Sequence, residues 1–205
     1  MTEEHQSEAR ALEEKKRRIT DAALESFLLY GYRRTSMEDI ARACHLSRSA
    51  LYIYFKNKED VYRGMIGFLH EDTLAQASEA SQEEKGYRRR LLGILQAKFV
   101  RHFALLARSE HAQELVDEHK GVVMDLHADF ASSYKDLVQG VLESAIDEGE
   151  LHLSKEFSSI DELVDLVMGC AGGLRPYTRK VSEVSVYEKR LEQWLDVLWR
   201  GLQGS

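Results

Sequence analysis

Apolar residues recur every three or four positions along almost the whole of this 205-residue chain, and no stretch alternates convincingly as a strand would. Proline removes a helical hydrogen bond and clashes with the preceding turn, so the presence of one proline, Pro176, fits an all-α protein. Hydrophobic residues make up 43% and charged residues 31%, the balance of a globular, soluble chain long enough to bury a sizeable core. No apolar run is long enough to span a membrane. The opening stretch MTEEHQSEARALEEKKRR has no apolar segment and carries acids, so no signal or transit peptide is expected. Cys44 and Cys170 are far apart and have no metal-site spacing, which makes a reducing cytoplasm the simplest compartment.

The periodicity divides into segments at recognisable caps. A helix is expected from about Glu14 to Tyr30, with Ile19, Ala22, Ala23, Phe27 and Leu28 as its apolar stripe and Gly31 as its left-handed stop. Residues 1–13 are then expected as a flexible arm. Thr35 with Glu38 reads as a capping box opening a short helix, Ser36 to Cys44. Ser47 caps a second short helix to Phe55, and Asn57 with Asp60 opens a longer one towards Leu74 or beyond. Further helices are expected over Glu84–Ala107, Glu110–Glu118 and Val122–Ile146, with Gly149 after the last. Ser159 with Glu162 then caps a helix to about Val181, kinked or broken at Pro176, and Ser185 with Glu188 caps a final helix to Leu202. The polar QASEASQEEKG stretch reads as a frayed helix end or a loop.

The net charge of −7 is unevenly placed. From Lys15 to Arg63 there are eleven bases and six acids; the remainder holds seventeen bases and twenty-nine acids. A basic first quarter on an acidic body points to a polyanion-binding module, residues 14–56, attached to a larger helical domain, 57–203. Two short helices joined by a tight turn after a longer helix are a helix-turn-helix arrangement. In its second helix Leu51 and Phe55 fall on one side, facing Phe27, Ile40 and Ala41. Ser47, Arg48, Ser49, Tyr52 and Tyr54 are left to face outward. Small serines let a helix sit deep in a major groove. Arg48 suits guanine edges, and the tyrosine hydroxyls suit phosphates.

The segment TSMEDIARACHLSRSALYIYFKNKEDVY, preceded by AALESFLLYGYRR, resembles the DNA-binding signature of the TetR family of bacterial transcriptional regulators. The resemblance covers roughly Ile19 to Arg63. It implies phosphate contacts from Thr35 and Ser36, groove-facing positions at Ser47, Arg48, Ser49 and Ile53, and backbone contacts from Tyr52, Tyr54 and Lys58. Lys58 also lies at a helix N-terminus, where amide groups and the dipole favour phosphate. The sequence departs from the family at His45 and Ser49, where glycine is frequent. His45 is expected to adopt a positive φ. Ile53 replaces a common polar residue, either to meet a thymine methyl group or because it is partly buried.

Outside the first quarter the resemblance is one of pattern, and it implies a divergent helical domain that binds a small ligand and forms a homodimer. An interface is expected on Leu163, Val167 and Ala171, beside the small GCAGG cluster, and on Leu191, Trp194, Leu195 and Leu198. For a largely apolar effector the candidates are Phe99, His102, Phe103 and Leu106 on one helix, and Met124, His127, Phe130 and Tyr134 on another. Aromatic residues at helical spacing are also what an ordinary core displays. His111, Glu114, Glu118 and His119 form no tight ligand set, so no metal and no cofactor is expected. Asp125 and Asp129 read as a solvated face. No phosphate loop, nucleophile elbow or paired metal motif occurs, so an enzyme is not expected.

These features together lead to a cytoplasmic, homodimeric regulator, most often a repressor, binding a palindromic double-stranded DNA operator in response to a small molecule. The competing reading is a helical ligand-binding or scaffold protein that no longer binds DNA.

Overall fold

The computed structural model describes residues 3–83, 86–117, 121–153, 155, 157–178 and 180–203. All regular structure among them is helical: α1 Glu3–Tyr30, α2 Met37–Ala43, α3 Arg48–Tyr54, α4 Lys58–Gln82, α5 Tyr87–Leu95, α6 Arg101–Leu106, α7 Ala112–Asp117, α8 Met124–Asp147, α9 Ile160–Gly173 and α10 Val184–Leu202. A π turn, Gln96–Val100, joins α5 to α6, and a 3₁₀ turn, Val181–Glu183, leads into α10. No described helix is long and apolar enough to cross a membrane.

The chain forms two compact units, Met1–Glu71 with Ser109–His127, and Asp72–Arg108 with Ala128–Ser205. This division differs from a single cut after residue 56. α4 and α8 each continue from one unit into the other.

In the first unit, α1 is longer than its apolar stripe. Residues 3–13, expected as an arm, belong to the helix. Pairs one turn apart, Glu13 with Lys16 and Glu14 with Arg18, support this polar stretch where no apolar face calls for it. The core is Ile19, Ala23, Phe27, Ile40, Ala41, Leu51, Phe55 and Val61, all buried. Leu51 is 0% exposed, a burial that contributes roughly 2 kcal/mol. Gly64 lets the Phe55 ring close on α4, because a Cβ there would lie 2.8 Å from Phe55 Cε1. Residues 109–127 fold back onto this unit. The Ser109 hydroxyl donates to the Leu28 carbonyl, the Tyr62 hydroxyl to Leu115 at 2.7 Å, and the Arg33 amide to Glu114 Oε1 at 2.7 Å.

The second unit packs α5, α6, α8, α9 and α10 around Leu91, Ile94, Leu95, Leu142, Val164, Val167, Leu191 and Leu195. Its buried tyrosine hydroxyls are satisfied: Tyr134 donates to the Ile94 carbonyl at 2.7 Å and Tyr187 to Ala171 at 2.8 Å. α9 starts at the expected cap, Ser159, which accepts from the Glu162 amide. It ends at Gly173, so Pro176 follows a broken helix and not a kinked one. α10 starts at Val184, capped by no side chain, so Ser185 is not its cap. The single expected helix over Glu84–Ala107 is divided by the π turn, in which the Arg101 amide reaches the Gln96 carbonyl. Glu84 itself lies outside the described residues, as do Glu118, His119 and the 204–205 terminus.

Candidate nucleic-acid interface

The two short helices are set by their caps. Ser36 caps α2 by accepting from the Asp39 amide, while the Asp39 carboxylate accepts from the Ser36 amide at 2.9 Å. The capping box is thus Ser36 with Asp39, one residue later than the expected Thr35 with Glu38. Those hydrogen bonds hold the Asp39 carboxyl below its ordinary range. α2 then closes in a Schellman turn: the His45 amide donates to Arg42 and the Leu46 amide to Ala41. His45 occupies the left-handed position with φ 55°, as expected. Placing a side chain where glycine is usual costs about 1 kcal/mol. Ser47 caps α3 by accepting from the Ala50 amide at 3.1 Å.

Given this entry, α3 has two faces. Leu51 and the following Phe55 point into the core. Ser47, Arg48, Ser49, Tyr52 and Ile53 are exposed, and Tyr54 is half-buried. Ile53 is 78% exposed, which removes the partial-burial reading and leaves an apolar contact offered outward. The Arg48 guanidinium lies 5.8 Å from the centroid of the Tyr52 ring, at the outer edge of a cation–π contact. Arg34, Arg48 and Lys56 are exposed cations with no ion pair among the described residues. Ser36 is exposed beside them at the start of α2.

Two expected phosphate contacts have other work in the structure. Thr35 is 2% exposed and its hydroxyl donates to the Gly31 carbonyl at 2.8 Å and to Ser26 at 3.4 Å. The Lys58 ammonium donates to three carbonyls, Tyr32 at 2.7 Å, Thr35 at 2.8 Å and Arg33 at 3.3 Å, and lies 4.3 Å from the Tyr32 ring centroid. It ties the turn after α1 to the first turn of α4, so its charge is directed inward. Asp125, expected as a solvated acid, pairs bidentately with Arg63 at 2.7 and 2.9 Å, and the guanidinium holds its carboxyl down to about 2. The roles of Tyr62, Arg63 and Glu114 are not legible in the sequence, because their partners lie more than fifty residues away.

The expected effector residues divide between the units. Met124 and His127 belong to the first; Met124 is 70% exposed, and the His127 ring lies 4.9 Å from His70. Phe99, His102, Phe103, Leu106, Phe130 and Tyr134 belong to the second. There Phe103 packs edge-on against Tyr187, and Phe130 and Tyr134 are buried. His102, Leu106 and Phe99 are half-buried. Glu114 holds the Arg33 amide, and the amide of His111 is held by Ser109. Among the described residues no three His, Cys, Asp or Glu side chains gather as a metal site.

Among these groups lies Lys98, whose ammonium burial lowers its pKa to about 8, against an ordinary 10.5. In the unfolded chain the proton is held more tightly, so between about pH 8 and 10.5 the unfolded state binds more protons and stability rises with pH. The tyrosines act oppositely: burial raises Tyr62 and Tyr187 to about 12, so their contribution falls as pH rises above 10. The half-buried Cys44 thiol, also raised by burial, opposes the rise from about pH 9. Lys98→Met is therefore expected to be more stable than the parent at pH 7, by on the order of 2 kcal/mol after discounting for partial exposure. The difference should narrow by pH 10. Urea midpoints of the two proteins at both pH values check this; a constant gap refutes it.

The expected dimer stripe is also placed by the structure. Leu163, Val167, Ala171, Leu191 and Leu195 are at most 1% exposed inside the second unit, so they face its own core and not a partner. Trp194 and Leu198 are half-buried. Both helices carry a second stripe. On α9 it is Leu166, Gly169, Cys170 and Gly173; on α10 it is Trp194, Val197, Leu198 and Gly201. Leu166 is 42% and Val197 72% exposed, and a Cβ at Gly169, Gly173 or Gly201 would meet nothing within 4 Å.

Comparison with known proteins agrees with this geometry. Residues 19–65 match the family model "Bacterial regulatory proteins, tetR family". The uncharacterized HTH-type transcriptional regulator YuxN of Bacillus subtilis (strain 168) is 37% identical over 62 residues, 30% of this chain and 21% of that protein. The fatty acid metabolism regulator protein of the same organism is 28% identical over 162 residues, 71% of this chain and 79% of that protein. The chain thus spans about a fifth of the first relative and about four-fifths of the second. The structure of the fatty acid degradation regulator FadR from Bacillus halodurans superposes with a TM-score of 0.63 at 19% identity, covering 93% of this chain and 95% of that one, which is a likeness of fold. Residues 19–65, the helix-turn-helix and its flanks, are thus a DNA-binding segment of the kind found in the TetR family of bacterial regulatory proteins.

Proposed function

We propose that the chain is a sequence-specific, ligand-responsive transcriptional regulator, acting as a homodimeric repressor on a palindromic operator. The observation that carries this reading is the outward face of α3. Ser47, Arg48, Ser49, Tyr52 and Ile53 are exposed together on a helix whose other side is fixed by Leu51 and Phe55. Arg48 and Ile53 offer a bidentate donor to guanine and an apolar contact to a thymine methyl group, while Tyr52, Tyr54, Ser36, Arg34 and Lys56 hold phosphates. Thr35 and Lys58 act from behind this surface by fixing the turn that aims α2.

Dimerisation uses the second stripe of α9 and α10. Leu166, Trp194, Val197 and Leu198 supply apolar area, and the open glycine positions let a partner helix approach closely. Two-fold symmetry then matches two half-sites. The second unit takes a largely apolar effector, with Phe99, His102, Leu106, Phe130 and Tyr134 as the side chains nearest that role. α4 and α8, each continuous from one unit to the next, carry the coupling. An effector that prefers one of two head arrangements shifts the population and with it operator affinity.

The test is selection of random duplexes by the purified protein at low salt, read by sequencing. The expected result is a palindromic consensus. Absence of any enriched sequence under these conditions, where phosphate contacts are strongest, would count for the non-DNA-binding alternative.

A further inference from the structure

Lys98 is an unusual placement for a cation. It lies in the π turn between α5 and α6, whose wider winding turns its side chains away from the register of an unbroken helix. Its ammonium lies 4.5 Å from the ring centroid of Tyr134, 5.1 Å from Phe130 and 5.3 Å from Phe99. Phe130 and Tyr134 sit one turn apart on α8, and the Tyr134 ring is fixed by its hydroxyl bond to Ile94. Phe99 meets Tyr134 edge-on at 6.4 Å. Among the described residues Lys98 makes no hydrogen bond and no ion pair. Several carboxylates of this unit are engaged elsewhere: Asp196 with Arg88, Asp161 and Asp165 with Lys135, Glu148 with Tyr87, and Glu150 with Trp199.

Ring faces offset part of the cost of removing an ammonium from water, but they give its three N–H donors no lone pair. A charge left in this state is stabilised strongly by any acceptor that reaches it. The side chain is only partly buried, so an incoming group has access to it. The rings around it suit an apolar body and not a polar one. We propose that Lys98 anchors an amphipathic organic monoanion, its acidic head on the ammonium and its apolar body along the half-buried Phe99 ring, above the buried Phe130 and Tyr134. This inference rests on the reading of the second unit as an effector-binding one, and it names the chemical class of the effector.

The test compares two fluorescent probes of similar shape on the full chain at pH 7: anilinonaphthalene sulfonate, a monoanion, and phenylnaphthylamine, which is uncharged. The parent protein is expected to bind the sulfonate at least about tenfold more tightly than the neutral probe. Lys98→Met should remove that preference and keep the neutral probe, which also shows that the variant is folded. Lys98→Arg should retain the preference. If the parent binds both probes alike, or if Lys98→Met binds the sulfonate as before, the anchor is overturned while an apolar effector site stands. If neither probe binds the parent, the effector-site reading falls and this inference falls with it.

Discussion

Arg48→Ala is expected to leave the protein as stable as the parent and to weaken its selected operator at least about thirtyfold. The side chain is exposed and its partner is the equally exposed Tyr52, so its removal opens no cavity and buries no unpaired group. Its donors suit the two acceptors of a guanine edge, an interaction of about 1–3 kcal/mol of discrimination per head. A dimer on two half-sites loses two such increments. The informative readout is the consensus recovered with the variant: one guanine position in each half-site should become permissive while the rest persists. A uniform loss on every duplex, with a shallower dependence on salt, would instead mean that Arg48 binds phosphate and reads no base.

Lys58→Met tests the opposite kind of role. The resemblance casts Lys58 as a phosphate contact, whereas the structure binds its ammonium to the carbonyls of Tyr32, Arg33 and Thr35. Charge-assisted bonds of this kind contribute more than neutral ones, and the variant loses all three. The variant is expected to lose about 2–3 kcal/mol of stability, read by urea unfolding. At a temperature where it is folded, its operator affinity should keep the salt dependence of the parent. A phosphate contact would give the reverse: full stability and a salt slope smaller by about one.

The helix-turn-helix was legible in the sequence because its determinants are local. Ser47 is three residues from the amide it caps, Gly31 and His45 sit at the turns they make, and Leu51 and Phe55 are one turn apart. The first cap was displaced by one position because Thr35 and Ser36 both offer a hydroxyl three residues before an acid. Burial decides between them: Thr35 is enclosed and bonds to Gly31, which leaves the cap to Ser36. The roles of Lys58, Arg63 and Glu114 were not legible, since each depends on a partner brought back from a distant stretch of chain. Five of the seven residues expected at a dimer interface, Leu163, Val167, Ala171, Leu191 and Leu195, are core for another reason. α9 and α10 each have two apolar faces, and periodicity reports that a face exists without saying which one the subunit covers. The π turn left no pattern at all, because one extra residue in a turn is indistinguishable from ordinary variation in a helical stripe.

The return of residues 109–127 to the first unit has a consequence for how such proteins diversify. The Leu28 carbonyl, the Arg33 amide and the Tyr62 hydroxyl all have their partners in that later stretch. The first unit is therefore encoded in two separated pieces of the gene. A crossover that falls between the two pieces carries α3 but not residues 109–127, so a transplanted head must bring both pieces or meet a different surface at Leu28, Arg33 and Tyr62.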